Sequence, residues 1–442
     1  MIMKDWRIAV ATLGCKVNQV ETAALLEEFG RRGLKAVSFK EKADLYLINT
    51  CAVTARAAYE SRQLIRRALK RNPKLVVATG CYVQIGHEEI LACVNGPVYL
   101  IGNDRKPEIP ELVADLSLPL KKAEVLVGNV LAQRRCSPFL IHRFFDHSRA
   151  FARIQDGCSA FCKYCVVPYA RGPARSLPED LVLEQIRRFK EAGYQEIVLT
   201  GIHLGLWGRD LDPPKTLLDL LQRIERLDPP RLRLSSLEPM ELHEELLLWA
   251  RSSPIFCPHF HLPLQSGDDE ILEKMGRPYR AKDFEDLVWE IKRLFPEAAI
   301  GVDVLVGFPG EGEKAFEHTH ELLKRLPVTY LHVFPYSPRP LTEAAKWPQV
   351  SPSLITQRVR RLKELSQAKR KAFYLEQVGK ILNVLVQKRD RATGLYRGLS
   401  ENYVPVLFDA PQGLEKKIVP VMVERVVHEL VLGRLVSDFS IP

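Results

Sequence analysis

The segment DGCSAFCKYC places Cys158, Cys162 and Cys165 in a C-x3-C-x2-C spacing within one short loop. No fourth cysteine follows nearby. In a cubane [4Fe-4S] cluster each of the four irons takes one thiolate. Three cysteines leave one iron open, able to bind a small molecule and pass it an electron. Zinc is the competing occupant, but a structural zinc wants four Cys or His ligands in paired spacing. His147 is the candidate for that fourth place.

A second group of cysteines closes three apolar runs. RIAVATLGC, DLYLINTC and KLVVATGC end at Cys15, Cys51 and Cys81. Between them, ETAALLEEFGRRG and ESRQLIRRALKRNP have helical periodicity and closing Gly or Asn-Pro signals. The resulting β-α-β-α-β pattern predicts a parallel sheet. Neighbouring parallel strands end at one sheet edge, where open α/β sheets bind ligands. The three thiols are therefore expected to converge on a shared metal site. For any one of them alone, a buried small residue is the plain alternative. Cys93, Cys136 and Cys257 stand at no metal spacing and read as buried small residues.

Elements that must position these thiols follow along the chain. After an irregular stretch, six strand candidates alternate with helical patterns: AFARIQ, EIVLTG, RLRLSS, HFHLPLQ, AIGVDVLVGF and YLHVFPYS. Six β/α units fall short of the eight that close a full barrel, so a partial, open barrel is expected. Its ligands belong at the C-terminal strand ends, and the cysteine loop directly follows the first strand. A long basic helix comes next, then short strands with turn signals that predict a small antiparallel barrel. The expected divisions are 1–118, a link over 119–143, 144–374 and 375–442.

The 442 residues carry a formal charge of +10, with 46% hydrophobic and 27% charged residues. Such a composition is that of a globular chain with an anionic partner, usually nucleic acid. An odd nine cysteines without a secretion signal argue for reduced thiols in a cytoplasmic protein, and for metal over disulfides. No run reaches the ~18 apolar residues of a membrane span. Candidate phosphate contacts are Arg62, Arg66 and Lys70 on one helical stripe, the basic run from Arg358 to Lys371, and Lys388, Arg389, Arg391, Tyr396 and Arg397 in the terminal barrel. A solvated charged face is the bland reading of each.

The cysteine loop, with Tyr164 before its last cysteine, resembles the radical S-adenosylmethionine superfamily. The order TLGCKVNQVE, INTCAVT, VATGCYVQ, RIQDGCSAFCKYCVVPYARGPARS, VLTGIHLG, RLSSLEP, HLPLQSGDDEIL and DVLVGFPGE is similar to that of the methylthiotransferases within it. The wording is most like the branch that modifies N6-threonylcarbamoyladenosine at position 37 of tRNA, and the terminal barrel resembles a TRAM domain, an RNA-binding module. The resemblance implies two [4Fe-4S] clusters, one on Cys158, Cys162 and Cys165 and one on Cys15, Cys51 and Cys81, each with an open iron. It implies S-adenosylmethionine as methyl donor and radical source, with Tyr164, Arg175, Gly201, Glu238, Gln265, Ser266 and Gly307 around it. Arg171 is placed either at the cofactor or on the surface, and Asn18 and Asn49 either at the second cluster or in ordinary turns. A sulfur source, an electron donor and tRNA complete the partners, with no membrane.

Two departures stand out. PYSPRPLT has Leu341 where the family's string has glycine, and Val20 replaces an expected aromatic residue. Other readings are the same chemistry on isopentenyladenosine-37 tRNA or a ribosomal protein, or a non-catalytic RNA-binding protein with structural metal.

Overall fold

The computed structural model describes residues 5–144 and 147–436. The first part is a six-stranded parallel sheet of order β2-β1-β3-β4-β5-β6. Its strands are β1 Arg7–Thr12, β2 Lys35–Val37, β3 Leu45–Thr50, β4 Leu75–Gly80, β5 Tyr99–Ile101 and β6 Glu124–Leu126. Helices α1 Lys16–Arg31, α2 Ala55–Leu69, α3 Cys81–Cys93 and α4 Ile109–Ala114 connect them. β3 and β4 are buried along their whole length. Alternate β3 residues serve two cores: Leu45 and Leu47 face one, Tyr46 and Ile48 the other. This two-sided burial explains why these runs read as continuous apolar stretches. β6 comes from the stretch expected to be a link and pairs in parallel with β5.

β1, β3 and β4 are neighbours, with Thr12 opposite Asn49 and Asn49 opposite Thr79. The three strand-end cysteines therefore share one edge, as parallel topology requires. Gly80, which turns β4 into α3, has φ +103, and a Cβ there would stand 2.5 Å from Thr50 O. Only glycine fits this turn.

All six strands expected in the middle segment are present: β7 Ala150–Arg153, β10 Ile197–Thr200, β11 Leu232–Leu234, β12 His259–Gln265, β13 Ala299–Val306 and β14 Tyr330–Pro335. They form two parallel three-stranded sheets, β11-β10-β7 and β12-β13-β14. A bridge from Leu232 to Phe256 and a bond from Leu237 N to His261 O (3.1 Å) link them. The result is an open partial barrel. Helices α6 Glu179–Glu191, α7 Leu217–Glu225, α8 Glu244–Ser252, α10 Ala281–Leu294 and α11 Glu313–Arg325 each bury an apolar stripe against it. Two short strands, β8 Gln155–Asp156 and β9 Arg175–Ser176, pair antiparallel and pin both ends of the cysteine loop, which also contains helix α5 Val167–Arg171. Helix α9 Asp269–Met275 follows β12.

Helix α12, Pro352–Leu375, packs beside β14 and leads to a closed five-stranded barrel of β15 Ile381–Arg389, β16 Tyr396–Ser400, β17 Pro405–Asp409, β18 Ile418–Val427 and β19 Leu430–Leu435. Four of its pairings are antiparallel, as expected, and the parallel β17–β19 pair closes it. It is docked at the N-terminal ends of the middle strands, where Arg233 donates to Ser400 O (3.2 Å) and Glu401 O (3.0 Å).

Leu341 stands in a turn with left-handed backbone, a conformation that favours glycine. Its φ is +73 and its side chain is exposed. A leucine held there carries backbone strain of about 1 kcal/mol and has little packing to lose. Leu341→Gly should leave the thermal unfolding midpoint unchanged or raise it, whereas the β-branched Leu341→Val should lower it. A marked loss in the glycine variant would show that the side chain packs usefully.

Candidate functional site

Each thiol of the first trio stands at a strand-to-helix junction. Cys15 is the N-cap of α1 and Cys81 is the first residue of α3. Cys51 precedes α2, whose N-terminus is capped by Thr54 accepting from Ala57 N at 3.1 Å. Helix N-termini carry partial positive charge and favour thiolates. Each thiol feels the others electrostatically, and all three feel Arg171. Asn103 Nδ2 approaches Cys81 Sγ at 3.7 Å.

The second trio sits at the C-terminal mouth of the partial barrel. Cys158 Sγ is 3.4 Å from His203 Nδ1, and Arg277 Nη1 is 3.5 Å from Cys162 Sγ. Burial pushes the Cys165 thiol up to about 12, and burial pushes Cys51 up to about 11. Such thiols ionise when a metal takes the proton's place. His203 is also bonded to Glu241 (2.7 Å). Burial opposes its protonation, but Cys158 and Glu241 raise it to about 10.

Both trios fit a cluster better than a single zinc ion. Tetrahedral zinc with Zn–S near 2.3 Å holds its sulfurs ~4 Å apart. Among the described residues, the ligand groups whose atoms all lie within 4.8 Å of one another are His261–Asp303–His332 and Glu317–His320–Glu321. Neither cysteine trio is drawn together that tightly. His147 does not supply a fourth ligand. It packs against Phe144 and Phe151 before the N-terminal end of β7, whereas the cysteine loop follows the C-terminal end. A further sign of fit is Arg171 Nε, a buried donor without a protein partner beside Cys15, Cys51 and Cys81.

One buried ionic network joins the two trios. Glu21, on α1, meets Lys106 Nζ (2.6 Å), Arg171 Nη1 (2.9 Å) and Arg153 Nη1 (3.2 Å). Asp156, two residues before Cys158, meets Arg171 Nη1 (2.7 Å), Arg153 (3.3 Å) and Arg175 Nη2 (3.3 Å). Arg171 also donates to Asn18 Oδ1. Burial alone would raise both carboxyls, but the surrounding cations hold both below their ordinary values, Glu21 far below. Asn18 donates to Leu13 O (2.7 Å) and Thr50 O (3.1 Å), while Asn49 donates to Asn18 O (3.0 Å) and Thr22 Oγ1 (3.1 Å). These two asparagines thus hold the Cys15 and Cys51 turns together. Packing across the boundary is reciprocal: Val20 of α1 joins the barrel core, and Val166 and Ala170 of the cysteine loop join the first core. The aliphatic Val20 fits there.

The remaining expected cofactor residues divide. Glu238 is paired with Arg277, which therefore ties it to Cys162. Burial raises the Glu238 carboxyl against the pull of Arg277. Tyr164 lies edge-on to Phe308 (6.3 Å), joining the cysteine loop to the end of β13. Gly201 follows β10 against Gln155, whose Oε1 accepts from Ile202 N (2.9 Å) and His203 N (2.8 Å). Gln265 has φ +64 at the end of β12. These groups surround the mouth. Ser266 turns its hydroxyl toward Thr319 of α11 (3.3 Å). Gly307 has φ +82, and a Cβ there would strike Ile355 of α12, so packing demands glycine. Arg175 is bonded to Asp156 and Arg171 O (2.7 Å) within the network.

Several RNA-contact expectations are corrected. Arg62 turns inward to Tyr82 and Glu89, and Arg66 binds Cys93 O (2.6 Å), so this stripe braces α3. Arg358 is buried against Glu311 (2.7 Å), and Tyr396 is buried beside Phe408 inside the terminal barrel. Arg171 is buried, not superficial. Cys136 and Cys257 are buried as expected, but Cys93 is partly exposed at the end of α3. His203, Arg277 and Gln155 were not singled out from sequence. His203 lies in the GIHLG string, yet no periodicity marks these residues as neighbours of the thiols.

A family model described as "Uncharacterized protein family UPF0004" matches residues 7–102, and the Radical SAM superfamily model matches residues 153–323. Among solved structures, the radical S-adenosylmethionine methyltransferase TsrM from Kitasatospora setae, with cobalamin and a [4Fe-4S] cluster bound, is similar at a TM-score of 0.54. It is 17% identical, covering 77% of each chain. The fold is thus of the radical SAM class. The threonylcarbamoyladenosine tRNA methylthiotransferase MtaB of Aquifex aeolicus (strain VF5) is 41% identical over 90% of this chain and 96% of its own. The MtaB of Bacillus subtilis (strain 168) is 35% identical over 94% and 93%. A tRNA-2-methylthio-N(6)-dimethylallyladenosine synthase of Thermus thermophilus is 29% identical over 98% and 92%. The chain belongs to the radical SAM tRNA methylthiotransferase family. Membership implies an iron–sulfur cluster and S-adenosylmethionine. Among the described residues, no helix is long and apolar enough to cross a membrane.

Removing Glu21 leaves buried cations facing one another. Glu21→Ala should cost about 3–5 kcal/mol of stability in chemical denaturation. A loss below ~1 kcal/mol, as for an exposed ion pair, would show that the network does not hold the two parts together.

Proposed function

We propose that this chain transfers a methylthio group to C2 of N6-threonylcarbamoyladenosine at position 37 of tRNA, in the cytoplasm. One [4Fe-4S] cluster would be held by Cys158, Cys162 and Cys165, and a second by Cys15, Cys51 and Cys81. Residues 1–118 would present the second cluster, 144–374 the S-adenosylmethionine site, and 375–442 an RNA-binding surface, with 119–143 between them. When bound, these groups supply methyl, sulfur and one-electron chemistry at an aromatic C–H that no side-chain base can deprotonate.

The observation that carries this reading is the Glu21–Arg171–Asp156 network. It fastens the turn beside one thiol trio to the loop bearing the other. Two metal centres held this way can address one substrate atom without a mobile carrier. Around the mouth, Arg277 orients Glu238 beside Cys162. His203 donates toward Cys158 while Glu241 fixes its ring. Tyr164 and Phe308 form an apolar wall that limits water. The choice of base follows the names of the Aquifex and Bacillus relatives. Adenosine 37 would leave the anticodon loop stack to reach this mouth.

Nucleoside mass spectrometry of tRNA from cells lacking the protein should show 2-methylthio-N6-threonylcarbamoyladenosine lost and its precursor accumulated. Unchanged product, or loss of the dimethylallyl derivative instead, would reject the assigned base. Anaerobic reconstitution should load about eight irons per chain, and either Cys15→Ala or Cys158→Ala should lower that load. Zinc in place of iron would contradict two clusters. Affinity for tRNA should fall steeply with added salt, and a flat salt response would contradict phosphate binding.

A further inference from the structure

The two sheets of the partial barrel meet through β11 and β12, which leaves β7 and β14 as its outer edges, unpaired with each other. The barrel therefore has a seam. Along β14, Leu331 and Val333 pack into the core shared with α12, so Tyr330 and His332 face the other way. His332 is half exposed there, which marks the seam as open to solvent.

At the N-terminal end of the seam, away from the thiols, a cavity of about 270 Å³ lies between the partial barrel and the terminal barrel. Arg149, just before β7, and Arg370, on α12, line it from one side. Arg397 of β16 lines it from the other, with Gln387, Tyr374 and Tyr403, and no carboxylate does. The charge here is uncompensated. Arg149 has only a long contact with Glu196 (3.5 Å), a carboxylate already held by Arg233 (2.8 Å). Among the described residues, Arg370 and Arg397 have no carboxylate within the 4.0 Å of an ion pair, and their side chains make no hydrogen bond. Arg370 stands over the Tyr330 ring (6.0 Å) and Arg149 over Tyr403 (5.9 Å). Aromatic faces thus steady two guanidinium groups without using their N–H donors.

We propose that this cavity grips a backbone phosphate of the RNA, at a nucleotide other than the one that reacts. The inference rests on the tRNA assignment above and names where the strand is held. Guanidinium forks match phosphate oxygens in charge and geometry. Small-molecule sites are mainly apolar, whereas this lining is cationic and polar, as a phosphate alone requires. β14 spans roughly 20 Å from the cavity to the mouth, too far for one nucleotide to reach both. Lys363, exposed and seven residues before Arg370, shares its face of α12. That helix starts beside Gly307 at the end of β13, so positive charge continues from the cavity toward the mouth.

The test uses the reconstituted full-length protein and threonylcarbamoylated tRNA, with binding measured against salt. Arg370→Gln combined with Arg397→Gln should weaken binding at least about tenfold and flatten the slope of log K against log salt by about two. The charge-preserving pair Arg370→Lys and Arg397→Lys should keep the slope. Arg251→Gln should keep it too, because α8 connects β11 to β12, far from the seam. Turnover at saturating tRNA should hold, with the loss appearing in KM. An unchanged slope in the glutamine pair overturns the proposal, as does a fall that Arg251→Gln reproduces. Inorganic phosphate and adenosine monophosphate, titrated without RNA at constant ionic strength, test the other source of this anion. Saturable binding of either that Arg370→Gln abolishes, with tRNA affinity intact, would make this a free-anion site and overturn the RNA assignment. Should the glutamine pair lose its iron, the exposed Arg397→Gln alone decides, with an expected flattening of about one. Wild-type protein that neither binds nor methylthiolates the tRNA defeats the assigned function itself. Turnover with an unchanged salt slope in the variants defeats this inference alone.

Discussion

Everything in this molecule depends on burying charge between two layers. Among the described residues, Lys106, Arg153, Arg171 and Arg175 are set against only Glu21 and Asp156. Bare cations would not tolerate this enclosure, and the two carboxylates alone leave positive charge over. The excess lies beside Cys15, Cys51 and Cys81. The network fastens the two parts, and a thiolate-held iron–sulfur cluster on these cysteines, as proposed, would also find its counter-charge there. Its members come from α1, the loop after β5, β7 and the cysteine loop. Forming it therefore requires both parts to be folded and correctly apposed.

The second constraint is topological. Parallel strands deliver their following loops to one edge, and both halves of the chain use this. In the first part the three thiols meet because β1, β3 and β4 are adjacent. In the second, the cysteine loop, His203, Glu238 and Gln265 meet because they follow successive strands. The β8–β9 ribbon then pins the ends of the cysteine loop, so that its thiols are positioned by backbone pairing and not by packing alone. Docking of the terminal barrel at the opposite end leaves the mouth clear.

Much of this was legible in the sequence for physical reasons. Buried parallel strands must be apolar throughout, so β3 and β4 announced themselves. Cysteines in equivalent positions of successive units could be placed together without knowing any distance. Leu341 itself takes a positive φ, the conformation a glycine would adopt without strain. What was not legible were the partners of charges. Arg62 and Arg66 look like a solvated stripe until Glu89 and Cys93 O fold against them. Arg358 gives no hint of Glu311, and Arg171 none of Glu21, because long-range pairing leaves no local period. Tyr396 reads as a stacking residue from its basic surroundings, but it is buried beside Phe408 on the neighbouring strand.

The central claim is that two four-iron centres flank one cavity, with the arginine-centred network between them. Diffraction at the iron absorption edge from anaerobically reconstituted crystals tests it most directly. The account predicts one iron peak within Cys158, Cys162 and Cys165, another within Cys15, Cys51 and Cys81, and Arg171 lying beside the second. A single iron peak, or a zinc edge at either trio, would contradict it.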